Sequence, residues 1–172
     1  AHLLLVLDQA EVQVSFAGYS ALPVLSINRG FTAPVAIAQD VAPADLVFLA
    51  AHDDDPFARY EAMQELVVGH LKDAVAGSLS DAARAEGRAA IAGALAAVLA
   101  DPALDDLMRG ELLILPSHAY LSEQMLVADP GAIHAERQAL RGALAQALEA
   151  EFVALHQRAS SVPYSLAAEA RG

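Results

Sequence analysis

Asp55-Pro56-Phe57-Ala58-Arg59-Tyr60-Glu61-Ala62-Met63-Gln64 is the stretch that decides how this chain divides. It reads as a helix start. Asp55 can accept hydrogen bonds from the free backbone N–H groups of a first turn. Pro56 suits the first helical position, where its missing N–H costs nothing. Beyond it Phe57, Tyr60, Met63, Val67, Leu71 and Val75 recur every three or four residues, the spacing of one apolar helix face. Gly77-Ser78 ends that helix. Ser80 can cap the next, with Asp81 in its first turn, and the pattern runs to about Ala100 with Arg84 and Arg88 exposed on one side.

Asp101-Pro102 repeats the start signal and predicts a helix reaching about Leu115. Pro116-Ser117 opens a short one through Met125. Asp129-Pro130 begins what should be the longest helix, with Ile133, Leu140, Leu144, Leu148, Phe152 and Leu155 on one face. Pro163 stops it, and Ser165 starts another that Gly172 cuts short. Upstream of Asp55, Pro43 and Ala44 introduce a short helix from roughly Asp45 to His52.

Before Val41 the period changes. Leu3 to Leu7 is an apolar run, and Val12, Val14 and Phe16 alternate with Glu11, Gln13 and Ser15, as in a half-buried strand. Leu22 to Ile27 and Val35 to Ala38 are further candidates, separated by the turn-forming Asn28-Arg29-Gly30. Pro23 and Pro34 fit edges or strand starts. Three or four short strands cannot close a sandwich alone, so an exposed edge or face is expected. The expected fold is mainly α with a small β part. Residues 1–42 would be the last strands of a truncated β-sandwich, and residues 43–172 an antiparallel α-helical solenoid of the HEAT or armadillo kind. No fixed repeat length is visible.

Composition narrows the function. The apolar fraction is 56%, but about 40 of the 172 residues are alanine, which favours helix and buries little area. The formal charge of −12 opposes nucleic acid and anionic membranes as partners. The longest apolar run, Ala89 to Ala100, is too short to span a bilayer. Absence of cysteine removes disulfides and thiolate chemistry and suits a cytoplasmic protein. The chain opens on Ala1-His2 without an initiator Met and runs straight into Leu3, as a piece cut from a longer polypeptide would.

Four places in the chain resemble the M1 family of zinc aminopeptidases, of the alanyl aminopeptidase or aminopeptidase N type. The first is Leu5-Val6-Leu7-Asp8-Gln9-Ala10-Glu11, similar to the strand–turn–strand that opens the family's third domain. The second is Phe31-Thr32-Ala33-Pro34-Val35, similar to its last sandwich strand. The third is Asp55 to Gln64, with Tyr60 where a Trp is common. The fourth is Leu115-Pro116-Ser117, followed by Asp129-Pro130-Gly131-Ala132-Ile133-His134 and then Arg137, Leu140 and Leu144. Their order and spacing make the match more specific than any one of them.

The resemblance implies a parent enzyme that removes N-terminal residues from peptides. Its zinc would be held by a His-Glu-x-x-His helix and a distant Glu, and the substrate amine by Gly-x-Met-Glu-Asn. Neither motif occurs here: no His precedes Glu, and no two His lie four apart. No catalytic, cofactor-binding or metal-binding residue is therefore carried onto this chain, and the fragment is expected to be inactive alone. It would be the end of the bridging sandwich and the first half of the helical arch that walls the active-site chamber. Its partners would be the remaining domains and, in the parent, peptide substrates. Open strand edges and a severed solenoid would also invite self-association without physiological meaning. The alternative is a stand-alone helical-repeat module that binds a protein partner.

Several residues were weighed as sites. Asp53-Asp54-Asp55 lacks the Gly and Glu of an EF-hand loop, and a solvated helix start is the simpler reading. Glu61 and Glu65 lie one turn apart and could share acid and base roles only in a cleft; otherwise they form a solvent-facing stripe. His52, His70, His118, His134 and His156 have no ligand spacing, and His134 and Glu136 point to different helix faces. Gly18-Tyr19-Ser20 reads as a turn and not as a nucleophile elbow. Arg137 and Arg141 share a face and could meet a peptide carboxylate or another domain, although pairing with nearby acids is more ordinary.

Overall fold

Helix starts in this chain are written locally, and the structure honours most of them. In a computed structural model describing residues 3–6, 8–35 and 37–161, seven α-helices follow a short N-terminal region. They are α1 (Pro43–His52), α2 (Pro56–Val75), α3 (Asp81–Ala100), α4 (Asp106–Leu112), α5 (His118–Glu123), α6 (Pro130–Ala147) and α7 (Glu149–Ser160). Proline occupies the first turn of α1, α2 and α6. The Asp55 carboxylate accepts from Ala58 N–H at 2.8 Å, and Ser80 Oγ accepts from Ala83 N–H at 3.2 Å. Ser117 caps α5 through Tyr120 N–H, and Asp129 caps α6 by accepting from both Gly131 and Ala132. Gly77, just past α2, takes φ +69°, the left-handed turn in which a side chain is strained.

Two expectations need correction. Asp101-Pro102 does not start α4. The Asp101 carboxylate is held by Arg59 at 2.7 Å and by Ala103 N–H, so residues 102–104 form a turn and the cap passes to Asp105. Nor is the helix beginning at Pro130 the longest. It breaks at Leu148, whose φ −117° and ψ 22° lie outside the helical range, while its side chain is only 2% exposed. Burying Leu148 in the core takes precedence over continuing the helix. The longest helices are α2 and α3, at 20 residues each. The stop at Pro163 and the helix from Ser165 lie outside the described residues.

The β part is also not seen as strands. Among the described residues no strand forms; Leu3–Val6, Val12–Phe16, Leu22–Ile27 and Val35–Ala38 run without a ladder (Leu7 and Ala36 lie outside the description). A strand exists through hydrogen bonds to a neighbour, and alternating side chains cannot supply one. Leu4, Val6 and Leu22 are accordingly open to solvent. One part of this region is firmly built. Arg29–Phe31 makes a 3-10 turn entered through Asn28 at φ 54°, and Asn28 Oδ1 accepts from Ala33 N–H while its Nδ2 donates to Ala33 O. Gly18 at φ +90° forms the expected bend.

The core is helix on helix. α1, α2 and α3 pack against one another, α6 packs across α2 and α3, α5 lies on α6, and α4 contacts α2 and α3. Met63, Leu71, Ile91, Leu95, Val98, Leu112, Leu121, Ile133 and Leu140 are fully buried. Each large aliphatic side chain so buried contributes about 1.5–3 kcal/mol of transfer free energy. Ala50 (0% exposed) and Ala94 (1%) are buried in this core. α7 buries no residue fully and packs on α6 through half-buried Phe152. No helix among the described residues is long and apolar enough to cross a membrane.

Candidate functional site

The most elaborate polar junction belongs to Arg59, the arginine of the deciding stretch. Set one turn into α2 and 3% exposed, it donates from Nε to Ala50 O at 2.8 Å and from Nη2 to Ala51 O at 2.6 Å. Its Nη1 donates to Asp101 at 2.7 Å. The two carbonyls belong to the last turn of α1, which has no partners of its own along the helix. Asp101 is the C-cap of α3. One guanidinium thus joins α1, α2 and α3, using the planar fork that lysine lacks. It depresses the Asp101 carboxyl below the usual range, with the backbone bond from Ala103 adding to the effect. Sequence reading did not find this junction, because the carbonyls and Asp101 meet Arg59 only after three helices pack.

Arg29 forms a second junction. It donates to Asp53 at 2.8 Å and pairs with Asp54, tying the 3-10 turn to the start of α2. Phe31 meets Phe57 with ring centroids 5.0 Å apart. The Asp53 side chain is 1% exposed and also accepts from Asp55 N–H, so this acid is not the solvated one expected; its charge is matched by Arg29. The three aspartates divide the work of a helix start.

Glu61 and Glu65 both border a groove of about 520 Å³ between residues 25–39 and the face of α1 and α2. Leu46 and Leu49 lie along it, with Phe31, Phe57 and Tyr120. Burial raises the Glu65 carboxyl above its ordinary value, and Glu61 adds to the rise. Tyr60 nearby is raised by burial and then by Glu61, Glu111 and Tyr120. Ser26 and Tyr120 also line the groove, but among the described residues no histidine, lysine or arginine lines it beside the two carboxylates to activate a hydroxyl or stabilise developing negative charge.

The histidines are placed separately, with one exception. His118 at the start of α5 and His134 in α6 bring their rings to 5.6 Å between centroids with an interplanar angle of 15°. His52 lies against Phe48, and His156 is exposed on α7. Among the described residues no three His, Cys, Asp or Glu side chains gather where they could hold a metal ion. Glu136 does not join His134; it accepts from Arg84 and from Arg88. Among the described residues Arg137 pairs with no acid. Its Nε donates to Pro116 O at 2.8 Å, fixing the approach to α5, while Arg141 stays exposed. Arg109, 7% exposed, donates to Asp106 and to Asp101 O, and Arg158 reaches Asp106 from α7.

Buried arginines that tie off helix ends and a core packed helix on helix define an α-helical array. The chain belongs to the family described as "Domain of unknown function (DUF3458_C) ARM repeats", matched over residues 43–172. It is 37% identical over 142 residues to an aminopeptidase N of Caulobacter vibrioides, covering 83% of this chain and 16% of that protein. It is 31% identical over 153 residues to the aminopeptidase N of Escherichia coli, covering 86% of this chain and 17% of that protein. The fold matches the crystal structure of Legionella pneumophila aminopeptidase A in complex with aspartic acid, with a TM-score of 0.77 and 28% identity over 94% of this chain and 18% of that one. The likeness to the M1-type aminopeptidases drawn from the four motifs is thereby shown. The chain spans about one sixth of the length of the curated relatives it matches.

Proposed function

We propose that this chain is a non-catalytic part of a zinc metallo-aminopeptidase that hydrolyses N-terminal residues from peptides. Residues 43–172 serve as the first half of the helical arch that walls the active-site chamber, and residues 1–42 as the end of the sandwich that bridges to it. The observation that carries this reading is the small share of two aminopeptidases N that the chain matches across most of its own length. The Arg59 junction supports it: an arginine of the motif is spent on holding three helix ends together. Partners on this reading are the remaining domains of the parent and its peptide substrates, in the cytoplasm.

The zinc of such a parent does not fit the donors described here. His118 and His134 are the two imidazoles that come together, and no carboxylate joins them as a third ligand. Structural zinc needs four ligands, and catalytic zinc three with an open position. No step through a metal is assigned to this chain.

The test is an alanyl p-nitroanilide assay on the purified chain with zinc added, alongside sequencing of the codons upstream of residue 1. The expected result is no turnover, with an open reading frame encoding His-Glu-x-x-His. Turnover by the chain itself, or an in-frame stop upstream, overturns the proposal. A tight protein partner captured by a chain encoded alone would favour the adaptor reading.

A further inference from the structure

We propose that His70, set against Gly87 beneath the Arg84–Glu136–Arg88 bridge, is a proton-sensitive latch that holds α6 on α2 and α3 and loosens it in acid. This goes beyond the scaffold reading and does not depend on it. The latch is built from three helices. Glu136 of α6 accepts from Arg84 Nη1 and, at 3.0 Å, from Arg88 Nη2, both on α3. Arg84 Nη2 also donates to Ala74 O at 3.1 Å, near the end of α2. Among the described residues these are the only ion pairs joining α6 to the α2–α3 pair.

His70 enters this bridge from α2. Its ring lies so close to Gly87 that a Cβ there would come within 2.4 Å of Nδ1 and 2.8 Å of Cε1. Only glycine leaves room for the ring. His70 Nε2 is buried without a partner, as are Arg84 Nε and Arg88 Nε. The groups facing the imidazole are Arg84 and Arg88 on α3, Glu136 on α6, and Asp73 on its own helix. A neutral imidazole is compatible with two guanidinium groups sharing one carboxylate. A protonated one places a third cation beside Arg84 and Arg88, with Glu136 and Asp73 as the facing acids, in a half-buried place where screening is weaker than in bulk water.

Burial lowers His70 below the ordinary value of 6.5, and Arg88 and Arg84 add to this against the smaller opposing pull of Glu136 and Asp73. A folded-state value below the unfolded one means that the unfolded or opened state binds the proton better. Stability is therefore highest above 6.5 and declines as pH falls from there toward the folded value. The α3–α6 seam is where opening is expected, since Glu136 secures α6 there, whereas α2 and α3 are also tied by Arg59 and Asp101.

Amide hydrogen exchange of the full chain, corrected for intrinsic rates, tests this between about pH 7.5 and about pH 5.5, the range in which an imidazole changes charge. The expected result is an opening constant for α6 amides that rises by more than about threefold in acid, while those of α1 hold, as separate local units allow. His70→Asn should abolish the rise, and the exposed His52→Asn should keep it. Gly87→Ala should push the ring out and weaken the α3–α6 seam at neutral pH. Should His70→Asn fail to fold, NMR titration of His70 in the wild-type chain decides. A His70 titrating at or above the free imidazole value, or an α6 opening that is the same in His70→Asn and wild type across the range, overturns the latch.

Discussion

Replacing Arg59 with Met keeps the apolar stem of the side chain and deletes its three hydrogen bonds. Ala50 O and Ala51 O would then stand at the end of α1 with no donor, in a place where Arg59 is 3% exposed and Ala50 is fully buried. Each stranded carbonyl costs about 1–3 kcal/mol. Asp101, 25% exposed, would lose its partner but could be rehydrated, so its share is the smallest. The sum is about 2–6 kcal/mol, a span that includes the cost of removing one partner of a buried pair. Against a typical domain stability of about 5–15 kcal/mol, that is a large fraction. In a urea titration followed by circular dichroism, the midpoint should fall by about 2 M for a slope near 2 kcal/mol/M. Arg59→Lys should recover less than half the loss, because one ammonium cannot serve two carbonyls and a carboxylate in the geometry of a planar fork. The reasoning is refuted if Arg59→Met costs less than about 1 kcal/mol, the net worth of a single ordinary hydrogen bond, or if lysine restores full stability.

Two further outcomes follow from the helix start and the groove. Asp55→Ala removes the acceptor for Ala58 N–H and should cost about 1 kcal/mol by urea midpoint, whereas Asp55→Ser should cost much less; equal losses would point to charge and not capping. Glu65, raised above 4.5 by burial and then by Glu61, favours its neutral form in the fold, so it supports the fold below that value and burdens it once ionised. Glu65→Gln should therefore stabilise the chain at neutral pH and make no difference at about pH 3.5, below the carboxylate range; a loss of equal size at both pH values would contradict this.

Helix starts were legible because capping is local. Asp55-Pro56, Ser80 and Asp129-Pro130 each fix their own first turn within three residues. Where a distant residue competes, that logic fails. Asp101 carries the same signal as Asp55, yet Arg59, 42 positions earlier, claims its carboxylate. The break at Leu148 was invisible because its apolar spacing continues the stripe without interruption. Asp53 was misjudged for the same reason as Asp101: its neutralising partner, Arg29, lies 24 residues away. Arg137 reads in the sequence as a partner for nearby acids, whereas it donates to Pro116 O, and backbone carbonyls leave no mark in a sequence. The approach of His118 to His134 depends on how α5 lies on α6. The N-terminal alternation gave extended chain, while a ladder requires hydrogen-bonding neighbours that side-chain pattern cannot provide.

Ala50 and Ala94 leave almost no surface to solvent. An added methyl group at either would act as a wedge in a closely packed interior, prising neighbouring layers apart. Drift in such a protein should concentrate on the outer rims of its helices, leaving such sealed alanines among its least forgiving positions.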